Sequence, residues 1–351
     1  MTSTRHPLRR VLVTGAAGFI GYHLSDRLLA DGLEVVGLDS LTPYYDPQLK
    51  RDRLARLSAR PGFRFVRLDL ADRAATAALF AAERFDAVLH LAAQAGVRYS
   101  VENPLAYLDS NLAGTLNVLE GCRHTGVQHL VYASSSSVYG EGNPMPLRED
   151  AVTDRPVSLY AASKKANEVM VHSYSHLYGL PATGLRLFTV YGPWGRPDMA
   201  IFRFARAIEA GQTIEVYNGG QMRRDFTYVD DVVEAFVRVL HRPPRGSPGN
   251  PPHRVLNVGN SHPVVLTDFI AHLERAIGKP ALRKLLPMQM GDVPDTWADV
   301  SRLQALTGWS PATDVGVGVQ RFVDWYRAYM KTRPAATAGE TAGAVWSGAT
   351  T

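Results

Sequence analysis

Tyr160 and Lys164 stand four residues apart in a segment with a helical pattern, so their side chains share one face of the predicted helix. A nearby positive charge favours the phenolate form of a tyrosine and lowers its pKa toward neutrality. A tyrosine tuned in this way can remove a proton from a hydroxyl group near neutral pH. Tyrosine–lysine pairs at this spacing are also common on helix surfaces, so the pair indicates catalysis only if neighbouring motifs support it.

Four consecutive serines, Ser134 to Ser137, end a β-branched run that predicts a strand, and Val138-Tyr139-Gly140 follows them. Adjacent hydroxyl groups are poor core residues and good ligand contacts. A serine at a strand end, combined with Tyr160 and Lys164, forms a set that moves a proton from a hydroxyl group while a hydride leaves the same carbon atom. Such chemistry predicts a redox cofactor.

A glycine-rich turn near the N terminus indicates where that cofactor binds. Gly15, Gly18 and Gly21 are spaced three and three after the first predicted strand, with Phe19 and Ile20 between the last two glycines. Gly15 permits a tight turn, Gly18 lets the backbone approach a pyrophosphate, and Gly21 allows the helix to lie close to the sheet. The helix N terminus adds N–H donors. An ordinary strand-to-helix loop is the alternative for this turn taken alone.

Three further strand ends support a dinucleotide site. Asp39 closes the second strand about 24 residues after Gly15, where a carboxylate accepts hydrogen bonds from an adenosine ribose and repels a 2′-phosphate. This favours NAD over NADP, and the positive nicotinamide would add to the charge that acts on Tyr160. The other strand ends predicted to contact the cofactor are Asp69-Leu70 and Leu91-Ala92-Ala93-Gln94.

The elements that must position these residues alternate between β-branched runs and helix-length amphipathic segments. Strands are predicted at residues 11–14, 34–39, 64–69, 87–91, 129–134 and 182–190, and helices at 18–31, 73–83, 104–125 and 158–178. Repeated β-α-β units predict an α/β fold, a doubly wound parallel sheet with helices on both faces. Ligands of such sheets bind outside the carboxyl ends of the strands.

After residue 190 the pattern changes, with frequent proline and glycine, short strands at 214–217 and 255–258, and helices at 199–210, 267–277 and 317–330. We therefore predict that residues 1–190 form a cofactor-binding domain and residues 191–332 a smaller α/β substrate lobe. Exchange of an element between the two stays open at this point. Residues 333–351 are Ala, Thr and Gly with almost no large apolar anchors, which predicts a disordered tail.

Composition excludes several classes of function. No apolar stretch approaches the ~20 residues of a membrane-spanning helix, and no signal-peptide run precedes the first strand. The net charge of +5 comes without the Lys/Arg blocks of a nucleic-acid-binding tail, so we expect neither a membrane nor a nucleic-acid partner. A single cysteine, Cys122, rules out an intramolecular disulfide and fits a reducing cytoplasm. We expect no metal site.

The glycine turn, the serine run before Val138-Tyr139-Gly140 and the Tyr160–Lys164 pair occur in an order that resembles the extended short-chain dehydrogenase/reductase family, the nucleotide-sugar epimerases and dehydratases. The resemblance covers roughly residues 11–326 and implies a Rossmann-type fold with a tightly bound NAD regenerated in each cycle. Counting back from Val138, it places the catalytic serine at Ser135. It also places Asn111 and Phe188 with the cofactor.

Within this family the chain is most similar to UDP-glucuronate 4-epimerases, through residues 39–46, 96–104 and 188–199. The resemblance implies that a UDP-sugar binds here. A uronate carboxylate requires charge-assisted donors, which Arg196, Thr189, Ser136 and Ser137 would supply. The alternative for Arg196 is a loop arginine paired with Asp198. The remaining substrate residues implied by the family segments are Arg224 for the diphosphate, Asp292 for the uridine ribose, Gln289, and Arg98 for the carboxylate, the diphosphate or the entrance.

Dehydration and 4-epimerisation are the two reactions of this family between which the sequence must decide. Dehydratases of this family carry Asp-Glu immediately before Val-Tyr-Gly, because loss of water requires an added acid and base; here these positions are Ser136 and Ser137. Simple 4-epimerisation through a transient 4-keto sugar needs neither. A 4-epimerase of a neutral UDP-hexose or UDP-pentose and a non-catalytic NAD-binding protein stay open as alternative functions.

The family also implies a homodimer through a four-helix bundle. The helices expected to form it carry Leu108, Leu112, Leu116, Val169, Met170 and Tyr174.

Overall fold

The computed structural model describes residues 7–288 and 293–333. Its strands are β1 (Arg10–Thr14), β2 (Glu34–Asp39), β3 (Phe63–Arg67), β4 (Ala87–His90), β5 (His129–Ser135), β6 (Ala182–Leu187), β7 (Thr189–Tyr191), β8 (Thr213–Tyr217), β9 (Arg223–Tyr228), β10 (His253–Val258), β11 (Pro263–Val265), β12 (Leu282–Leu286) and β13 (Asp295–Thr296). Its helices are α1 (Phe19–Ala30), α2 (Pro47–Ser58), α3 (Arg73–Glu83), α4 (Tyr99–Glu102), α5 (Pro104–Tyr107), α6 (Gly114–Thr125), α7 (Leu159–Tyr178), α8 (Ala200–Glu209), α9 (Val229–Leu240), α10 (Leu266–Ile277), α11 (Ser301–Thr307) and α12 (Val315–Thr332).

Seven parallel strands form the central sheet in the order β10-β6-β5-β4-β1-β2-β3. Strands β1 and β4 are neighbours, so the chain turns from one half of the sheet to the other between them. A crevice opens at such a switch point, at the carboxyl ends of the strands. The predicted doubly wound α/β sheet is confirmed.

Apolar side chains cover both faces of the sheet, and its central strands are buried almost throughout, as is typical of parallel sheets covered by helices. One face packs against α1 and α9, and that core continues into α8, α10 and α12 of the C-terminal half. The other face packs against α3, α6 and α7. Strand β10, which follows the switch to the C-terminal half in sequence, pairs with β6 and completes the central sheet.

The C-terminal half adds two small sheets. Strand β9 pairs with β7, β11 and β13, and β8 pairs with β12. Strand β7 begins two residues after β6 ends, so the polypeptide passes directly from the central sheet into the smaller one. Among the described residues, none of the helices combines the length and the apolar character that a membrane crossing requires.

The helix predicted over residues 104–125 has these bounds, and within them it consists of α5, a π-helical segment at Leu108–Ala113 and α6. Other predicted boundaries were wrong. The strand predicted to reach Asp69 ends at Arg67, because the Asp69 carboxylate accepts a hydrogen bond from the Ala71 N–H in a turn. Helices α2 and α9 were not predicted. The mean hydropathy of α2 is low and its amphipathic pattern weak, so its sequence reads as a polar loop.

Candidate active site

A cavity of about 510 Å³ opens at the carboxyl ends of the central strands, a size that suits a small-molecule ligand. It brings together most of the residues predicted from sequence. The predicted residues that line it are Gly15, Gly18, Phe19, Ile20, Gly21, Asp39, Asp69, Leu70, Leu91, Ala92, Ala93, Gln94, Ser135, Ser136, Ser137, Tyr160, Lys164, Phe188, Thr189 and Arg196.

The glycine turn leaves no room for side chains. Gly15 has a φ of +72°, and a Cβ atom there would lie 2.9 Å from the Ala92 backbone nitrogen. A Cβ atom on Gly18 would lie 2.9 Å from the Gly15 carbonyl oxygen, and one on Gly21 would be closer still. Helix α1 begins directly after Gly18. The turn therefore exposes backbone and a helix N terminus to the cavity, which suits a diphosphate.

Asp39 ends β2 beside this turn and is 8% exposed. Its carboxylate accepts hydrogen bonds from the Leu41 N–H at 2.8 Å and the Ala17 N–H at 3.2 Å, so both the turn and the following loop hold it in place. Each carboxylate oxygen keeps a further acceptor position, which suits a ribose diol. The residues at this end of the cavity fit an adenosine diphosphate moiety without a 2′-phosphate.

The three candidate catalytic side chains lie on two adjoining elements. Ser135 ends β5, and its hydroxyl group donates to Ser137 Oγ at 3.1 Å and accepts from the Ser137 N–H. Tyr160 and Lys164 come from the first turns of α7, which begins after Ser158 caps the Ala161 N–H. Strand β5 and helix α7 pack directly against each other, so the serine and the tyrosine face the same space.

Burial raises the pKa of Tyr160, while a hydrogen bond with Ser135 and the positive charge of Arg196 act in the opposite direction. Lys164 is not among the groups that act on the Tyr160 pKa in the chain alone, and the lowering expected from Lys164 together with the nicotinamide stays a prediction. Lys164 instead donates to the Ala133 carbonyl oxygen at 2.9 Å, and burial lowers its pKa to about 8. In the chain alone both groups shift toward their uncharged forms.

Arg196 lies on the far wall, in the loop between β7 and α8. Its guanidinium donates to both carboxylate oxygens of Asp198, at 3.0 and 2.6 Å, and Tyr44 donates to the same carboxylate at 3.2 Å. The Arg196 side chain is 24% exposed and lines the cavity. From the sequence, an ion pair with Asp198 and a place in the cavity were alternatives for Arg196. In the structure Arg196 has both. Asp198 accepts hydrogen bonds from Nε and one of the two Nη atoms of Arg196.

Five predicted residues are not part of the described cavity wall. Asn111 stands behind it, where its amide accepts from the Gln94 N–H and donates to the Gln94 carbonyl. Arg98 is exposed and lies over the Tyr217 ring, 5.3 Å from its centroid. Arg224 in β9 donates to the Arg223 and Pro294 carbonyls. Gln289 and Asp292 lie outside the described residues, as does almost all of the predicted tail.

Sequence reasoning missed Lys50 as a cavity residue. Its ammonium group donates to the Thr42 carbonyl and hydroxyl, at 3.0 and 3.1 Å, near Asp39. Burial lowers the pKa of Lys50, and the Asp39 carboxylate opposes that shift. Tyr44 also lines the cavity and lies against Gly96. Among the described residues, no group of three or more His, Cys, Asp or Glu side chains is arranged to hold a metal ion.

Comparison with known proteins shows which family this chain resembles. A model described as the NAD dependent epimerase/dehydratase family matches residues 11–259. A probable UDP-glucuronate 4-epimerase from Rhizobium meliloti (strain 1021) is 50% identical over 90% of this chain and 96% of its own length. UDP-glucuronate 4-epimerase 2 of Arabidopsis thaliana is 48% identical over 92% of this chain and 76% of its own.

Solved structures agree with the sequence relatives. The crystal structure of UDP-glucuronic acid 4-epimerase from Bacillus cereus, in complex with UDP-glucuronic acid and NAD, superimposes with a TM-score of 0.84 at 33% identity. The match covers 91% of this chain and 99% of that one. The chain therefore belongs to the NAD dependent epimerase/dehydratase family.

Proposed function

We propose that the chain catalyses the NAD-dependent 4-epimerisation of UDP-glucuronate to UDP-galacturonate. One observation carries the choice of substrate: Arg196 lines the same cavity as Tyr160 and is close enough for its charge to act on the tyrosine. A cation at this distance from the proton-transfer group would meet a C6 carboxylate when Tyr160 meets the sugar O4. The relatives named above carry the same activity in their names.

The residues of the cavity fit NAD. The glycine turn would hold its diphosphate and Asp39 its adenosine ribose, while Asp69, Leu70 and Phe188 would contact the rest of the cofactor together with residues 91–94. Lys164 would hold the nicotinamide ribose. When bound, NAD supplies a hydride acceptor that returns the same hydride, so no external oxidant is consumed and the cofactor can stay bound.

Tyr160 acts on the proton of the C4 hydroxyl group. Its phenolate removes that proton as C4 is oxidised, with the Ser135 hydroxyl hydrogen-bonded to the reacting oxygen. The 4-keto sugar then turns within the cavity and presents its other face. Reduction of C4 from that face, with return of the proton from Tyr160 to O4, gives the epimer. The proton and the hydride are both returned, so the reaction is balanced within the site.

The C6 carboxylate also requires control, because a 4-keto uronate is a β-keto acid that loses CO₂ readily. Arg196 and the hydroxyl groups of Ser136, Ser137 and Thr189 line the wall where this carboxylate would lie. Charge-assisted hydrogen bonds from these groups stabilise the anion and hold it near the plane of the ring. In that orientation the breaking bond cannot align with the carbonyl π system, and CO₂ is retained.

The nucleotide of the substrate would extend toward β9 and the segment that follows β12. Here we assign the UDP diphosphate to Arg224 and the uridine to Asp292 and Gln289, on the family resemblance of these segments. We assign Arg98 to the entrance of the cavity; its exposure and its position over Tyr217 support this choice among the three roles expected from the sequence.

A homodimer through α6 and α7 is part of the proposal. Leu116 on α6 and Val169 and Leu177 on α7 are 41%, 57% and 63% exposed. Exposed leucines and valines on two packed helices are typical of an interface that a second copy covers with its own two helices. Met170 and Tyr174 contribute less than their sequence positions indicated, because they pack against the core of their own chain. The buried, reduced Cys122 is consistent with a cytoplasmic location.

The experiment is to incubate the purified protein with UDP-glucuronate, without added cofactor, and to follow the products by proton NMR. UDP-glucose and UDP-xylose are incubated in parallel. Formation of UDP-galacturonate from UDP-glucuronate alone supports the reaction, the substrate and a retained NAD. Conversion of a neutral sugar without turnover of the uronate would refute the role given to Arg196.

A further inference from the structure

A chain of buried polar side chains runs behind the cavity, and the proposed reaction does not use it. Its members are Thr14 at the end of β1, His90 at the end of β4, Thr115 in the first turn of α6 and Asn167 in α7. They are 0%, 5%, 1% and 3% exposed. Because each buried polar group must find a hydrogen-bond partner, the position of every proton in this chain can be worked out.

Thr14 determines the tautomer of His90. The Thr14 hydroxyl oxygen accepts from the backbone N–H groups of Leu91 and Ala92, both at 3.1 Å, so its own proton is directed to His90 Nδ1 at 2.8 Å. His90 therefore carries its proton on Nε2 and donates it to Thr115 Oγ1 at 3.0 Å. Burial, reinforced by the charge of Lys164, lowers the pKa of His90 to about 3, so the ring is neutral at physiological pH.

The chain continues into the helix that carries the catalytic tyrosine. The Thr115 hydroxyl donates to Asn167 Oδ1 at 3.3 Å, with the amide oriented so that its nitrogen donates to the Asn111 and Ser163 carbonyls at 2.8 and 3.2 Å. In this orientation both atoms of the Asn167 amide have partners of the right kind. Each hydroxyl, ring and amide proton between Thr14 and α7 is therefore donated to one identified acceptor.

A second branch returns from α7 to the cavity wall. The Asn111 amide nitrogen donates to Ser163 Oγ at 2.9 Å, and Ser163 in turn donates to the Tyr160 carbonyl at 2.8 Å. The same amide holds both backbone groups of Gln94. Asn111 can reach both because it lies in the π-helical segment, a distortion that is frequent at functional sites.

We propose that His90 is a positioning residue for the reaction, acting as a neutral bridge of fixed tautomer. Through Thr14 it holds the backbone of Leu91 and Ala92, in the wall assigned to the cofactor, and through Thr115 and Asn167 it holds α7. It thereby sets the distance between that wall and Tyr160. Transfer of a hydride and a proton at one carbon is sensitive to displacements well below 1 Å, whereas substrate binding spread over the whole cavity is not.

The test removes the bridge without touching the cavity. Thr115→Val deletes the acceptor of the His90 Nε2 proton, and Thr115→Ser keeps it. Thr183→Val is the matched control, because Thr183 Oγ1 pairs in the same way with Nε2 of His129, at 3.0 Å, and both residues are buried. That pair lies at the amino ends of β5 and β6, away from the cavity, and its threonine also accepts from Arg254.

Both valine variants should lower the Tm by a similar few degrees. Only Thr115→Val should lower kcat, by about 10- to 100-fold, with the KM for UDP-glucuronate within about twofold of wild type. Thr115→Ser should restore kcat. A kcat for Thr115→Val within about twofold of that for Thr183→Val would overturn the inference, as would an equal rise in KM. Thr115→Ala breaks the same bond without a branched replacement and serves if the valine variant does not fold.

The inference rests on the proposed function only in that Tyr160 transfers the proton. If the wild-type protein converts a neutral UDP-hexose and not UDP-glucuronate, the assigned substrate fails. The kcat comparison is then made with that hexose and decides the role of His90 by the same criteria.

Discussion

Arg196→Ala is the substitution that bears most directly on the substrate. In the protein the guanidinium is held from one side by both oxygens of Asp198, and Tyr44 donates to the same carboxylate. This arrangement leaves the remaining Nη group of Arg196 directed away from Asp198, and Arg196 lines the cavity. A uronate carboxylate would bind there, and alanine removes the charged donor while the hydroxyl groups of Ser136, Ser137 and Thr189 remain.

The magnitude follows from the number of bonds. Hydrogen bonds to charged groups contribute about 1.5–3 kcal/mol each, so loss of one or two lowers kcat/KM for UDP-glucuronate by about 10- to 10⁴-fold. A second effect adds to the first, because Asp198 keeps its charge after the arginine is gone. Its carboxylate would then repel the carboxylate of the substrate across a cavity of low dielectric.

The double variant Arg196→Ala/Asp198→Ala separates the two effects. Removal of the Asp198 carboxylate should restore part of kcat/KM for UDP-glucuronate relative to the single variant, although the donors of Arg196 are still absent. Affinity for UDP-glucose, measured by calorimetry, should stay within about threefold in the double variant, since the neutral sugar needs no cation. Initial rates are measured by NMR for all three proteins. A single variant that converts UDP-glucuronate at the wild-type rate would show that Arg196 does not bind the carboxylate.

Three further substitutions test other parts of the site. Tyr160→Phe removes the proton-transfer group and should lower kcat by about 10²- to 10⁴-fold while NAD still copurifies, as absorbance of the denatured extract would show; retained activity would refute the assignment. Lys164→Met should abolish activity yet stabilise the cofactor-free protein at pH 7 by up to about 3 kcal/mol, because burial lowers the pKa of Lys164 from 10.5 to about 8. That gain is complete below pH 8 and disappears as the pH rises from 8 toward 10.5, so thermal unfolding at pH 7 and pH 10 checks the sign. Val169→Asp places a charge on the exposed face of α7 and should give monomers in light scattering, whereas an unchanged mass would argue against a dimer through this face.

The parts of the site that sequence predicted are those in which function depends on short segments. The glycine turn, Asp39, the serine run and the Tyr160–Lys164 pair each lie at the end of a strand or the start of a helix. Parallel strands bring their carboxyl ends to one edge of a sheet, so the chemistry of each segment could be assigned to a single cavity before any contact was known.

The parts that sequence did not predict depend on contacts between distant segments. Arg98 lies on Tyr217, more than a hundred residues away along the chain, and no local pattern indicates that contact. Lys50 reaches the cavity because α2 forms, and the charged sequence of α2 resembles a loop. The π-helical segment interrupts a stretch whose apolar spacing fits one continuous helix, and the Asn111 amide within it is anchored to Gln94.

The distribution of charge within the cavity favours epimerisation over elimination. Its described lining contains two carboxylates on the side assigned to the adenosine, Asp39 at the end of β2 and Asp69 in the turn that follows β3. The end of β5 and the first residue of β7, Thr189, contribute hydroxyl groups, and Asp198 is bound by Arg196 and Tyr44. Elimination of water would require an acid for the leaving hydroxyl and a base for C5 in addition to Tyr160. With hydroxyls in those positions, the 4-keto sugar has one productive course, which is to accept the hydride and the proton again on its opposite face.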